Sequence, residues 1–129
     1  MRINDLDTIE TKFSQTLNAN GRQFTKSDGI FSYVTKLATK SPKHITKKEI
    51  KPVRICLHFT VGNLAGDLYT LTNSTITVPF VVARSGDIYQ LSEPGKEVGY
   101  HLGSSNGYSN TTESYQTIGI EISNFGPLK

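Results

Sequence analysis

The chain carries a single cysteine, Cys56, so it forms no intrachain disulfide, and cysteine does not mark it for an oxidising compartment. Long apolar runs are missing as well. No stretch approaches the ~20 apolar residues of a membrane helix. The N-terminal MRINDLDTIETKF lacks the apolar core of a signal peptide. These absences predict synthesis into the cytoplasm and no membrane association. Familiar catalytic signatures are absent too: there is no HExxH, no paired CxxC and no GxSxG. The glycines of GYHLGSSNG are not followed by GK[ST], which excludes a phosphate loop. Charge of one sign is in modest excess, at +3 overall, but it is uneven. Lys36, Lys40, Lys43, Lys47, Lys48, Lys51 and Arg54 crowd one segment, opposed only by Glu49. Such a segment is either a polyanion-binding patch or a solvated, lysine-rich connector. Aromatics and arginines do not interleave there, which favours the connector, and no nucleic-acid partner is expected.

What is present fits one domain of ordinary length. Residues 1–52 read as a polar N-terminal extension followed by the basic connector. Within them, Ile30, Phe31, Val34 and Leu37 recur at helical spacing and predict a short amphipathic helix. SPKHITKKEIKP reads as a connector closed by Pro52, with His44 exposed.

From Val53 the pattern has period two. Val53, Ile55, Leu57 and Phe59 share one face of a strand; Arg54, Cys56, His58 and Thr60 share the other. LAGDLYTLTN reads as a short helix or turn. Ile76–Arg84 and Asp87–Leu91 read as the arms of a hairpin turned at Ser85-Gly86. Pro79 cannot donate a ladder bond, which predicts an edge or a bulge at that place. TIGIEIS is again a strand, with Ile118, Ile120 and Ile122 on one face and Gly119, Glu121 and Ser123 on the other. Several strands and few helices predict a mixed α/β domain with one sheet face packed.

Two strands therefore share one design: an apolar face, and one ionisable side chain on the opposite face. As sheet neighbours they would bring His58 and Glu121 into one cleft. A neutral imidazole is a good zinc ligand, and a carboxylate beside it can manage the proton of an attacking water. The bland alternative for His58 is a core histidine with a satisfied hydrogen bond. Cys56, on the same face, is either a soft ligand or simply a small apolar residue.

Four segments in order carry a resemblance. Leu57-His58-Phe59-Thr60, Arg84-Ser85-Gly86, Tyr100-His101-Leu102-Gly103 and Ile118-Gly119-Ile120-Glu121 are together similar to motifs of the zinc-dependent N-acetylmuramoyl-L-alanine amidases. That family includes phage lysozyme-type amidases and peptidoglycan recognition proteins. The match spans residues 53–126, which implies an amidase-like domain over 53–129, incomplete at its C-terminal end, of α/β fold with a central mixed sheet and flanking helices.

The resemblance implies a peptidoglycan hydrolase that cleaves the amide between N-acetylmuramic acid and L-alanine, acting on the cell wall after release. It implies His58 as first zinc ligand and Glu121 as catalytic acid–base. His101, with Tyr100 and Thr60, would contact the muropeptide. Tyr108, in the Ser- and Asn-rich loop 103–114, would stack on a sugar at the groove.

Two departures qualify what is implied. Val78-Pro79 stands where many members carry Tyr-His or Ala-His. The family's second and third ligands come from a segment after the Ile-Gly-Ile-Glu strand. The remaining ligands, and a helix backing the sheet, are thus expected beyond Lys129 or from a second chain. The 129 residues alone are expected to bind zinc weakly and to leave apolar sheet surface uncovered. Two other functions stay open: a non-catalytic peptidoglycan-binding module of the same fold, and a basic nucleic-acid-binding domain.

Overall fold

The computed structural model describes residues 3–20, 26–31, 33–37, 45–104 and 107–126. Its elements are α1 (Ile3–Asn20), β1 (Lys26–Asp28), β2 (Val34–Leu37), β3 (Ile45–Lys47), β4 (Arg54–Phe59), α2 (Leu64–Asn73), β5 (Phe80–Val82), β6 (Ile88–Gln90), β7 (Glu97–Gly99), α3 (Asn110–Ser114) and β8 (Thr117–Ile122). Six strands form a mixed sheet in the order β1-β2-β6-β5-β8-β4, and β3 pairs with β7 in a small second sheet. β4, β8 and β5 run parallel; β5 and β6 form the antiparallel hairpin read from the sequence. Gly86, at φ +89°, supplies the left-handed residue of its turn. Pro79 lies just ahead of the ladder, so β5 sits inside the sheet with neither an edge nor a bulge to accommodate it. Among the described residues no helix is long and apolar enough to cross a membrane.

One expected element is corrected. The segment around Val34–Leu37 is strand β2, not a helix. Ile30 and Phe31, which would have completed the apolar stripe of a helix, are exposed in the turn before it. Val34 and Leu37 are buried, and β2 runs parallel to β6 with Val34 opposite Ile88. Partners distant in sequence override the local spacing. Leu17 of α1 and Leu37 of β2 join Leu68, Val81 and Tyr89 in a single core. His44, Lys40 and Lys43 lie outside the described residues. In the rest of the basic segment Arg54 pairs with Glu113 and Lys48 sits over the Tyr115 ring.

Both long helices pack on one face of the sheet. The α2 helix starts at Asn63, whose Oδ1 accepts from Gly66 N at 2.8 Å. It buries Leu64, Leu68 and Leu71, a helical i, i+4, i+7 stripe. From α1, Glu10 Oε1 accepts from Leu64 N at 2.8 Å, which satisfies a first-turn donor of α2. Ser14 Oγ meets Tyr89 OH and Asp87 Oδ2. The register then fixes which residues lie beneath the helices. Tyr89, Val81, Glu121 and His58 form one row across β6, β5, β8 and β4.

The opposite face is apolar and, among the described residues, largely uncovered. Phe80, Ile120 and Leu57 form one row; Val82, Ile122 and Phe59 form the next. Ile55, Leu57 and Phe59 are 69%, 64% and 70% exposed. The polar faces of β4 and β8 are therefore the ones that meet the helices, while the apolar faces meet solvent. This arrangement predicts an unusual mutational pattern. Leu68→Ala should cost about 2–5 kcal/mol, whereas Leu57→Ala should stay within about 0.5 kcal/mol. Urea denaturation of the two variants measures the difference. A large loss for Leu57→Ala would mean that its face is covered in solution.

Candidate metal centre

β4 and β8 pair in parallel with Cys56 opposite Gly119 and His58 opposite Glu121. Adjacent strands lie about 4.8 Å apart, so these four residues form a compact patch on the helix-covered face. The chain brings a fifth residue to it. After β7 the backbone turns and directs the His101 side chain onto the patch. His101 Nδ1 lies 2.8 Å from His58 Nε2, with the rings nearly perpendicular.

The glycine of the Ile-Gly-Ile-Glu strand makes this possible. A Cβ on Gly119 would come within 2.9 Å of His101 Cε1 and 2.8 Å of Val78 Cγ1. Real Cβ contacts are longer than that, so a side chain there would push the imidazole out of its seat. His101 is held from the loop side as well. Leu102 N donates to Asn110 Oδ1 at 3.1 Å, and Asn110 N donates to Ser104 Oγ at 2.9 Å.

Cys56 Sγ, His58 Nε2 or Nδ1 and a nitrogen of His101 all lie within 4.8 Å of one another, so the cluster could hold a metal ion. His101, expected as the cleft histidine that contacts substrate, stands at His58 within reach of a shared metal ion. Cys56, two residues before His58 on the same strand face, converges with it because a metal between them asks for no direct contact.

The electrostatics suit a metal. Burial lowers the pKa of His101 to about 4, helped by His58 and opposed by the Thr117 backbone. Burial lowers that of His58 as well. Both imidazoles are therefore predominantly neutral at pH 7, the form that ligates. His101 Nε2 is fully buried without a well-formed hydrogen bond, an unusual orphan in a protein interior.

Glu121 is 9% exposed, and its carboxylate has no hydrogen-bond partner among the described residues. Burial, with the nearby Asp67 carboxylate, raises its pKa. Asp67 reaches the site from α2, where its Oδ2 accepts from Ser123 Oγ at 2.6 Å and from Thr60 Oγ1 at 2.8 Å. Sequence reasoning missed Asp67, because nothing in LAGDLYTLTN distinguishes it from an exposed helix acid.

The other expected site residues are dispersed. Thr60 is engaged by Asp67 and the Asn124 backbone. Tyr100 turns away from the cluster, and its hydroxyl meets Thr46 Oγ1 at 2.7 Å. Tyr108 is exposed on an open groove of about 410 Å³ whose lining includes Cys56, Arg54, Leu102 and Glu113. Tyr108 thus borders a depression that leads directly to the cluster. The chain matches no protein-family model, no curated protein and no solved structure in comparisons with each.

Proposed function

We propose that the protein is a zinc-dependent amide hydrolase of the peptidoglycan amidase type. Its substrate is the bond between N-acetylmuramic acid and the L-alanine of the stem peptide. The observation that carries the chemistry is the neutral His58–His101 pair at hydrogen-bond distance beside the Glu121 carboxylate, which has no hydrogen-bond partner among the described residues. The substrate assignment rests on the four ordered motifs, with the groove at Tyr108 as the place for a sugar.

His58 and His101 would hold the metal. Zinc held there would supply Lewis acidity to the scissile carbonyl and to the attacking water. Glu121 takes the water's proton and returns it to the departing amine. Burial serves that task, since a carboxyl with a raised pKa is a better proton acceptor near neutrality. Asp67, fixed by Thr60 and Ser123, keeps a second negative charge close to Glu121 and so helps to hold that pKa up. The β4 edge and the groove beyond Cys56 leave the approach to His58 open.

The test is incubation of the zinc-loaded protein with defined muropeptides. The expected product is a free stem peptide with a new L-alanine amino terminus, identified by mass spectrometry. Cleavage between sugars, or within the peptide, would overturn the assignment. So would binding of muropeptide without turnover, which would identify a recognition module.

A further inference from the structure

We propose that Cys56 is the third metal ligand, so that Cys56 Sγ, His58 Nε2 and His101 Nδ1 form a complete three-ligand site within this chain. The inference deepens the reading above and rests on its assignment of the imidazole pair to a metal. It adds the identity of the third donor, and with it the class of metal the site selects.

The geometry has three parts. Cys56 and His58 alternate onto one face of β4, about 6.5–7 Å apart at Cα. A short side chain and a longer one from such positions converge on a point above the residue between them. His101 arrives at the same point from the other side, over Gly119, the register partner of Cys56. A donor atom from each of the three residues already lies within 4.8 Å of the others, and His58 Nε2 and His101 Nδ1 are the ring nitrogens that face each other.

A tetrahedral zinc ion, with Zn–N of about 2.0–2.1 Å and Zn–S of about 2.3 Å, needs N···N near 3.3 Å and N···S near 3.6 Å. The two ring nitrogens are 2.8 Å apart, so loading moves them apart by about half an ångström and replaces their mutual hydrogen bond. With Nδ1 on the metal, His101 keeps its proton on Nε2, the buried orphan beside the Thr117 backbone. A backbone carbonyl is the usual outer partner of a ligating imidazole. Three protein donors leave a fourth position open, the arrangement of catalytic rather than structural zinc.

A thiolate in the set has a consequence for selectivity. Two imidazoles and a carboxylate would accept manganese or iron. Two imidazoles and a thiolate favour zinc, cobalt and cadmium over harder ions such as magnesium and calcium.

The test is a titration of the full chain with cobalt(II), followed by absorption. The expected result is one equivalent bound, with a near-ultraviolet thiolate-to-cobalt charge-transfer band and the intense visible bands of a four-coordinate ion. Zinc should displace the cobalt; magnesium in excess should not. Cys56→Ser should lose the charge-transfer band and weaken affinity by more than the about 10–100-fold that disturbing an outer partner costs. Circular dichroism of the variant checks that it is folded. The wild-type spectrum alone decides the matter if that variant does not fold. Cobalt bound by the imidazoles with no charge-transfer band would overturn the role of Cys56 and leave the amidase reading standing. No stoichiometric binding by the wild type would overturn the site altogether. A loaded protein that shows the band but releases no peptide would keep the site and remove the amidase reading.

Discussion

Glu121→Gln is expected to slow release of stem peptide from muropeptide by about 10²–10⁴-fold, while zinc affinity stays within a few-fold of the parent. The substitution keeps the volume of the side chain and removes its ability to take a proton. Glu121 lies outside the donor cluster of Cys56, His58 and His101, which is why binding and turnover should separate. The contrasting variant is His58→Ala, which removes a donor and should abolish zinc binding and turnover together. Isothermal titration with zinc and a rate assay on the same preparations measure both quantities. Parallel loss of affinity and rate in Glu121→Gln would place Glu121 among the ligands and leave the proton without a carrier.

The metal-free protein should lose on the order of 3 kcal/mol of stability between pH 7 and pH 4 on account of His101. The folded-state pKa of about 4 lies below the ordinary 6.5, so the unfolded chain takes up its proton first. Stability from this group is complete above 6.5 and is lost as pH falls through the window down to about 4. His58, the imidazole that His101 faces, shifts in the same direction and adds to the effect. Glu121 and Glu10 oppose it. Their pKa values are raised, so their contribution is present at low pH and is lost as pH rises through the folded values. The net acid lability is the histidine contribution less that of the two carboxyls, and it falls between pH 7 and about 4. Urea midpoints in chelator across that range provide the measurement. His101→Gln, which cannot charge, should flatten the profile; an unchanged slope would locate the acid lability elsewhere.

Much of the sheet was legible because its strands obey a strict alternation. Val53–Thr60 and Thr117–Ser123 were readable as strands, and the pairing of His58 with Glu121 followed once they were taken as neighbours. The helix α1 was not legible, although Ile9, Phe13 and Leu17 have helical spacing. Its buried face includes Glu10 and Ser14, polar residues that find partners only in α2 and β6. β2 misled for the converse reason, since Val34 and Leu37 fit a helical stripe as well as a strand and only β6 decides between them. At the site, the positions on β4 and β8 could be read from period two. The position of His101 could not, because it depends on the empty space that Gly119 leaves across the sheet.

The pairing of β4 with β8 also governs when the site comes into being. It joins residue 58 to residue 121, and closures over such separations come late in folding because chain entropy opposes them until other contacts are made. Cys56 and His58 are neighbours from the outset, but His101 has no seat until Gly119 has docked beside Cys56. A metal ion present during collapse would meet two donors at most, and the third only in the finished sheet. Metal held there would lengthen the lifetime of the native state and do little to hasten arrival there.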